Sequence, residues 1–302
     1  MQESARPLAR RRVAAYGVIY VIWGTTFLAI RVGVQQVPPL LFAAMRFATA
    51  GAILMLYAAL HGETPRSIRE WRSLFFLGCL FFLVDYGLLF WAERRVESGL
   101  AAVMLATIPL FMAVFEATIL KTFFMSTRLV VTLLMGLAGV AILVSPSLPL
   151  AGPTINKAGA VALLIAAVSW SFGTVISKRL TLPRSKEASS GAQMLIGGLL
   201  LVAASHLFGE TGHFDVTAVT IHAWIALAYL ITAGSILGFT AYVWLLSHDS
   251  PTRVGTYAYV NPVVALIVGA LFGAEHIGPR SLIGSALVLV SVILSVLWQS
   301  HK

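Results

Sequence analysis

A single cysteine, Cys79, is all the chain has of that residue, which excludes an intrachain disulfide and any metal site built on several thiolates. Charge is also scarce. Asp, Glu, Lys and Arg make up 11% of the 302 residues, against a hydrophobic share of 59%, where soluble domains carry roughly 25% charged residues. No GxxxxGK[ST] loop is present, so ATP cannot drive the protein directly. HExxH and GxSxG are also missing. One aspartate, Asp85, lies deep in an apolar run, one short of the pair an aspartyl protease needs, and no histidine lies in the middle of such a run. A membrane-embedded hydrolase or lipid-modifying enzyme is the alternative these absences weigh against, so no catalytic residues, cofactor or metal are expected. A channel would need rings of carbonyls or charges, and no such pattern occurs. The net charge of +9 could suggest nucleic acid. The basic residues instead fall in short clusters between apolar runs, where they set topology, and no nucleic-acid partner is expected.

Long apolar runs are what the chain does have. A bilayer core takes about 20 apolar residues per helix. The first run, from Ala14 to about Gly33, is longer than a signal peptide's apolar region and lacks a small-residue cleavage site, so it is expected to stay. The later spans read as 40–60, 73–92, 98–120, 128–145, 157–177, 190–208, 223–246, 253–273 and 280–298. Turn-forming breaks separate them, among them Pro38-Pro39, His61-Gly62-Glu63, Glu93-Arg94-Arg95, Pro146 to Pro153, Gly209 to Asp215 and Gly278-Pro279. With the N-terminus in the cytoplasm, Arg31, Arg94, Arg95, Lys157 and Arg280 fall on the far side and Arg46 lies within a span. The remaining fifteen of the 21 Lys and Arg are then cytoplasmic, as the positive-inside rule requires. Both termini are therefore placed inside.

Features also recur in order. YGLLFWAERRVESGLAAVMLATIPLF begins at Tyr86, and FTAYVWLLSHDSPTRVGTYAYVNPVV begins at Phe239. Trp91 and Trp244, and likewise Pro109 and Pro262, stand 153 apart (244 − 91 and 262 − 109). WGTTFLAIR from Trp23 and WSFGTVISK from Trp170 stand 147 apart (170 − 23). Five spans per half is an odd number, so the two halves, 14–145 and 157–298, enter the membrane from opposite sides. The expected fold is an all-α integral membrane protein of ten transmembrane helices in two inverted five-helix repeats. Secondary transporters built this way bind substrate near the midplane between the repeats.

These segments, with FAAMRFATAGAIL, GLAGVAILV, YAYVNPVVALIVGALFGAE and GSALVLVSVIL, resemble the EamA-type exporters of the drug/metabolite transporter superfamily from about Ala14 to Trp298. The resemblance implies a central cavity between the five-helix units and export of small metabolites such as amino acids across a bacterial cytoplasmic (inner) membrane. The expected partners are then a small-molecule substrate, the lipid bilayer and, as a candidate coupling ion, the proton. One departure stands out. The family's Gly-Glu pair closing the fourth span corresponds to Gly273-Ala274-Glu275 in the second half, but the first half reads Leu120-Lys121-Thr122.

Asp85 is the most informative residue, because a charge at the bilayer centre costs upward of ~2.5 kcal/mol. It reads either as a coupling acid or substrate-amine partner, or as a structural pair with Arg46. Glu116, near the cytoplasmic end of its span and about a turn from Lys121, is a second coupling candidate or an acid snorkelling to water. Glu93, Glu275 and His248-Asp249 sit at span ends or turns and are expected to be solvated. Pro109 and Pro262 free the carbonyls of Leu105 and Ala258 and read as hinges or ordinary kinks. Trp23, Tyr86, Trp170, Tyr257 and Tyr259 lie inside spans, whereas Trp91 and Trp244 lie at ends suited to interfacial anchors. Asn261 can donate to substrate or bridge helices, and Met104, the repeat equivalent of Tyr257, offers a soft apolar surface. Gly234/Gly238 and Gly269/Gly273 read as helix-contact pairs. The candidate substrate wall is Trp23, Asp85, Tyr86, Met104, Trp170, Tyr257 and Asn261.

Overall fold

A computed structural model describes residues 5–121, 127–144 and 156–300. The Pro146 to Pro153 break, Thr122, Lys302 and the Tyr259 side chain lie outside the described residues. Every regular element among the described residues is helical. The helical rods are α1 (Ala5–Val34), α2 (Pro39–Leu60), α3 (Ile68–Glu93), α4 (Ser98–Leu120), α5 (Thr127–Val144), α6 (Lys157–Ser177), α7 (Lys186–Leu207), α8 (Ile221–His248), α9 (Tyr257–Phe272) and α10 (Pro279–Ser300). Seven of these, α1 to α4 and α6 to α8, are long and apolar enough to cross a membrane, while α5, α9 and α10 carry shorter apolar stretches. The described residues are thus those of an all-helical membrane protein.

The boundaries follow from local chemistry. Pro39 opens α2, where its missing N–H is no loss. Ser67 and Glu70 form a reciprocal capping box at the start of α3. Asn156 accepts from Gly159 N (3.0 Å) to start α6, and Ser185 accepts from Ala188 N (3.2 Å) to start α7. Inside α3, over Cys79–Tyr86, the backbone widens to a π-helix, and α8 widens in the same way over Leu230–Leu237. A third widened stretch, Glu116–Leu120, ends α4. Such insertions rotate the side chains beyond them and are frequent at functional sites.

The two prolines behave differently. Pro109 does not kink a continuous helix: α4 breaks at Ala106-Thr107, and Pro109 is the second residue after it restarts. Thr107 N there bonds Met104 O at 3.2 Å, an i to i+3 bond. Pro262 lies within α9, whose preceding turn is at Gly255-Thr256.

The most extensive packing joins α2 to α7, followed by α5 to α10; α4 packs on α9, α1 on α8 and α9, and α6 on α3 and α4. The α2–α7 contact is a backbone approach that only glycine allows. A Cβ at Gly51 would stand 2.3 Å from Leu195 N, and one at Gly198 2.3 Å from Ala48 N. Gly234 and Gly238 meet Arg46, Thr26 and Trp23, while Gly269 meets Glu275 and Ser98. Large apolar side chains such as Ile53, Leu56, Val161, Ile165, Leu199 and Ile267 are exposed on the outer faces, as a lipid-facing surface requires.

Candidate functional site: a central cavity

Helices α1, α3, α4, α6 and α9 surround one buried cavity. Trp23, Thr26, Phe27 and Ile30 line it from α1; Asp85, Tyr86 and Leu89 from α3; Ala102, Leu105, Ala106 and Ile108 from α4; Trp170 from α6; and Tyr257, Ala258 and Asn261 from α9. The structure therefore brings together Trp23, Asp85, Tyr86, Trp170, Tyr257 and Asn261. Met104 does not join them, because it is completely buried behind the wall (0% exposed). The α1 contribution that single-residue reasoning missed, Thr26, Phe27 and Ile30, follows from spacing: positions 23, 26, 27 and 30 share one helix face. The carbonyl-bearing residues Leu105 and Ala258, freed by the two prolines, both line the cavity.

The wall is an aromatic box. The Trp23 ring meets Trp170 edge-on at 5.7 Å, Tyr257 at 5.0 Å and Tyr242 at 5.2 Å. Trp170 in turn meets Phe81 at 4.8 Å and Tyr86 at 5.8 Å. Trp23 Nε1 donates to Gly234 O (3.0 Å), fixing α1 to the widened part of α8. The Asn261 amide faces backbone acceptors and donates to Tyr20 O (2.8 Å) and Tyr257 O (3.2 Å), so it joins α1 to α9 while lining the cavity. Tyr242 and Thr174 share a 2.5 Å hydroxyl hydrogen bond between α8 and α6.

Asp85 is 3% exposed, and its Oδ1 has no hydrogen-bond partner among the described residues. Of the two readings of Asp85, the structural pair with Arg46 does not form. Arg46 instead lies one layer back, 1% exposed, with Nε donating to Ser235 Oγ (2.8 Å) and the guanidinium over the rings of Phe47, Tyr86 and Phe90 at 4.6, 5.1 and 5.9 Å. Trp170 Nε1–H is also buried and makes no hydrogen bond of good geometry, although the Tyr242 and Tyr257 hydroxyls stand nearby.

Three expectations about acids are corrected. Glu93 is not solvated but fully buried, because the end of α3 is covered by its neighbours. The Glu275 carboxylate accepts from the first amides of α4, Ser98 N (2.7 Å) and Gly99 N (3.0 Å), and pairs with Arg31 (3.4 Å). A carboxylate on free helix-N-terminal amides is a favourable anion site, which explains an acid held here without a symmetric partner. Glu116 is buried in the widened end of α4 rather than snorkelling, and it is not among the cavity's lining residues. Its charge, with that of Asp249, opposes the burial that lowers the Lys178 pKa.

Hydrogen bonds and an ion pair join the helices beyond either end of the cavity. At the end nearer the chain terminus, Tyr20 and Thr256 hydroxyls meet at 2.6 Å, Tyr16 donates to Asp249 (3.3 Å), Arg12 to His248 O (3.2 Å), and Lys178 to Leu246 O and Asp249 O. At the other end stand the Arg31–Glu275 pair and the Gln36 side chain, which accepts from Thr220 N (2.8 Å). Between them the cavity measures about 50 Å³. That holds a few waters but falls far below the roughly 300 Å³ of small-molecule pockets, so any substrate must enter through rearrangement.

A bundle of long apolar helices around an aromatic cavity with a buried acid is a membrane protein with a candidate small-molecule site. Comparison with known proteins gives the family. The model of the EamA-like transporter family matches residues 14–145 and again 157–297, and the chain belongs to that family. It is similar to an "Uncharacterized inner membrane transporter YedA" of Escherichia coli (strain K12), 36% identical and covering 92% of this chain and 88% of that one. It is also similar to a "Probable amino-acid metabolite efflux pump" of Salmonella typhimurium, 27% identical over 92% of each. A solved crystal structure 20% identical superposes with a TM-score of 0.66 over 95% of this chain and 98% of that chain, a likeness of fold. The chain is a membrane transporter, and these names point to transport rather than catalysis.

Proposed function

We propose that the protein is a bacterial inner-membrane exporter of amino acids or similar small amphipathic metabolites, working by alternating access about the central cavity. The observation that carries this reading is chemical. Two buried polar atoms of the cavity wall lack partners: Asp85 Oδ1 needs a donor and Trp170 Nε1–H needs an acceptor. A zwitterion supplies both, an ammonium for Asp85 and a carboxylate for the indole, while the aromatic faces accept the cation and the apolar α4 wall takes a side chain. The "Probable amino-acid metabolite efflux pump" among the relatives agrees with this class.

The packing pattern supports ten spans in two inverted repeats. Matching α1–α5 to α6–α10 in order makes α2–α7, α4–α9 and α5–α10 contacts between equivalents. It also converts α1–α8 into α6–α3, and α1–α9 into α6–α4, all of which occur. A pseudo-two-fold axis through the cavity generates that list. Rocking one half against the other then opens the tied ends in turn.

The test is transport by purified protein in proteoliposomes, with a panel of labelled amino acids and with Asp85→Asn. Losing a charge-assisted hydrogen bond costs about 1.5–3 kcal/mol, so apparent affinity should fall roughly 10- to 100-fold. Undiminished affinity in Asp85→Asn would remove Asp85 from the site. No flux for any amino acid would remove the substrate class.

A further inference from the structure

The strongest unexplained group lies outside the cavity. Glu93, the last residue of α3, is 0% exposed, and neither carboxylate oxygen has a hydrogen-bond partner among the described residues. An ionised carboxylate in that position would forgo both solvation and hydrogen bonding, at a cost far above that of any neutral polar group. A protonated one avoids most of that cost.

The surroundings are charged but poorly matched to an ionised Glu93. From α1, Arg31 donates to the Glu93 backbone carbonyl (3.5 Å) and to Val96 O, and its ion pair goes to Glu275. From α2, Arg46 stacks over Phe90, a turn before Glu93 on the same helix, and its Nη1 has no partner among the described residues. The loop before α10 brings Glu275, and the turn after α3 brings Glu97, whose pKa is raised by burial and by the Glu275 charge. Lys157, at the start of α6, is exposed. Two arginines therefore flank Glu93, and the nearer one is engaged by a competing carboxylate.

We propose that Glu93 is a proton-carrying site of this transporter: it holds a proton while this end of the bundle is tied shut, and gives it to solvent when the end opens and Arg31, released from Glu275, becomes its ion-pair partner. The carboxyl O–H bond breaks, the proton passes to a water molecule as hydronium, and the Arg31 ion pair with Glu275 is exchanged for one with the Glu93 carboxylate. The same motion that unties Glu275 from the α4 amides exposes α3's end to water, so proton release and opening are one event. Glu93 lies outside the cavity, so its protonation is independent of which substrate moves; its coupling to transport rests on the exporter reading above.

Infrared spectroscopy of the purified protein, titrated with pH, tests the site directly. Wild type should show a protonated carboxyl C=O band that persists at neutral pH. Glu93→Gln should remove one component of it, and Glu93→Asp should shift that component; Asp85→Asn serves to separate the cavity acid's contribution. A carboxyl band unchanged in both Glu93 variants would overturn the proposal, and should Glu93→Gln not fold, Glu93→Asp decides alone. In proteoliposomes, Glu93→Gln should keep tracer exchange of any amino acid the wild type moves, yet lose acceleration of net flux by a pH gradient. Full gradient dependence in Glu93→Gln would overturn coupling through this residue. If no amino acid moves at all, the exporter reading fails and the infrared result alone decides whether Glu93 carries the proton.

Discussion

At the scale of single residues, the two cavity tryptophans make opposite uses of one chemical group. Trp23 spends its N–H on the Gly234 carbonyl, whereas Trp170 keeps its own unpaired beside Asp85. Phenylalanine at either site preserves most of the ring packing and deletes the donor. Trp23→Phe should remove the α1–α8 hydrogen bond to the Gly234 carbonyl, costing about 0.5–1.5 kcal/mol of stability, visible as a lower Tm in detergent. Trp170→Phe orphans no partner, so its Tm should stay close to wild type while KM for a transported amino acid rises several-fold, the worth of one hydrogen bond at about 0.5–1.5 kcal/mol. A Tm loss at Trp170→Phe equal to that at Trp23→Phe would make its N–H structural. Asp85 and the tryptophans were legible in the sequence because rarity within an apolar span is itself a signal. Glu93 and Glu275 were not: their burial is decided by Arg31 and the start of α4, which come from distant parts of the chain.

At the scale of elements, helix ends and helix contacts carry the information that periodicity lacks. Repeat arithmetic equates Met104 with Tyr257, but the break in α4 follows Met104 while the turn before α9 precedes Tyr257. Of the two side chains, Tyr257 lines the cavity and Met104 does not. The widened stretches of α3 and α8 likewise have no sequence signature, though they aim Asp85 and place Ser235 against Arg46. The α2–α7 seam gives a direct test. Gly198→Ala puts a methyl against Ala48 N at 2.3 Å, backbone that cannot swing aside, and such overpacking costs about 1–3 kcal/mol; the Tm should fall by several degrees. Glu97, at the start of α4, gives a pH test. Its folded-state pKa lies above the ordinary carboxylate value of 4.5, through burial and the Glu275 charge, so its charged form disfavours the folded protein. Glu97→Gln should raise Tm at neutral pH, and that gain should vanish once the pH falls below 4.5, where folded and unfolded forms are both protonated. A pH-independent gain would trace to packing instead.

At the scale of the whole molecule, the proposed alternating-access cycle requires that the two ends never be open together. The tie nearer the terminus runs from Tyr20 to Thr256 and from Tyr16 to the Asp249 carboxylate. The opposite tie runs through a carboxylate, Glu275, on Arg31 and the α4 amides. Both bridge the two halves of the chain, which makes each a place to stop the cycle. In a background carrying Cys79→Ser, oxidising the pair Tyr20→Cys and Thr256→Cys should hold the first end closed, and oxidising Arg31→Cys with Glu275→Cys should hold the second. Alternating access requires every transported molecule to pass both ends, so either lock should abolish flux measured in proteoliposomes, and reduction should restore it. The locks should also differ in which face stays accessible. With the first in place, a membrane-impermeant thiol reagent should reach a cysteine at Thr26 only from the Arg31 side, and with the second only from the Tyr20 side. Flux that survives either crosslink would mean that substrate bypasses the cavity between α1, α3, α4, α6 and α9, and a fixed site between the halves would then have to be abandoned.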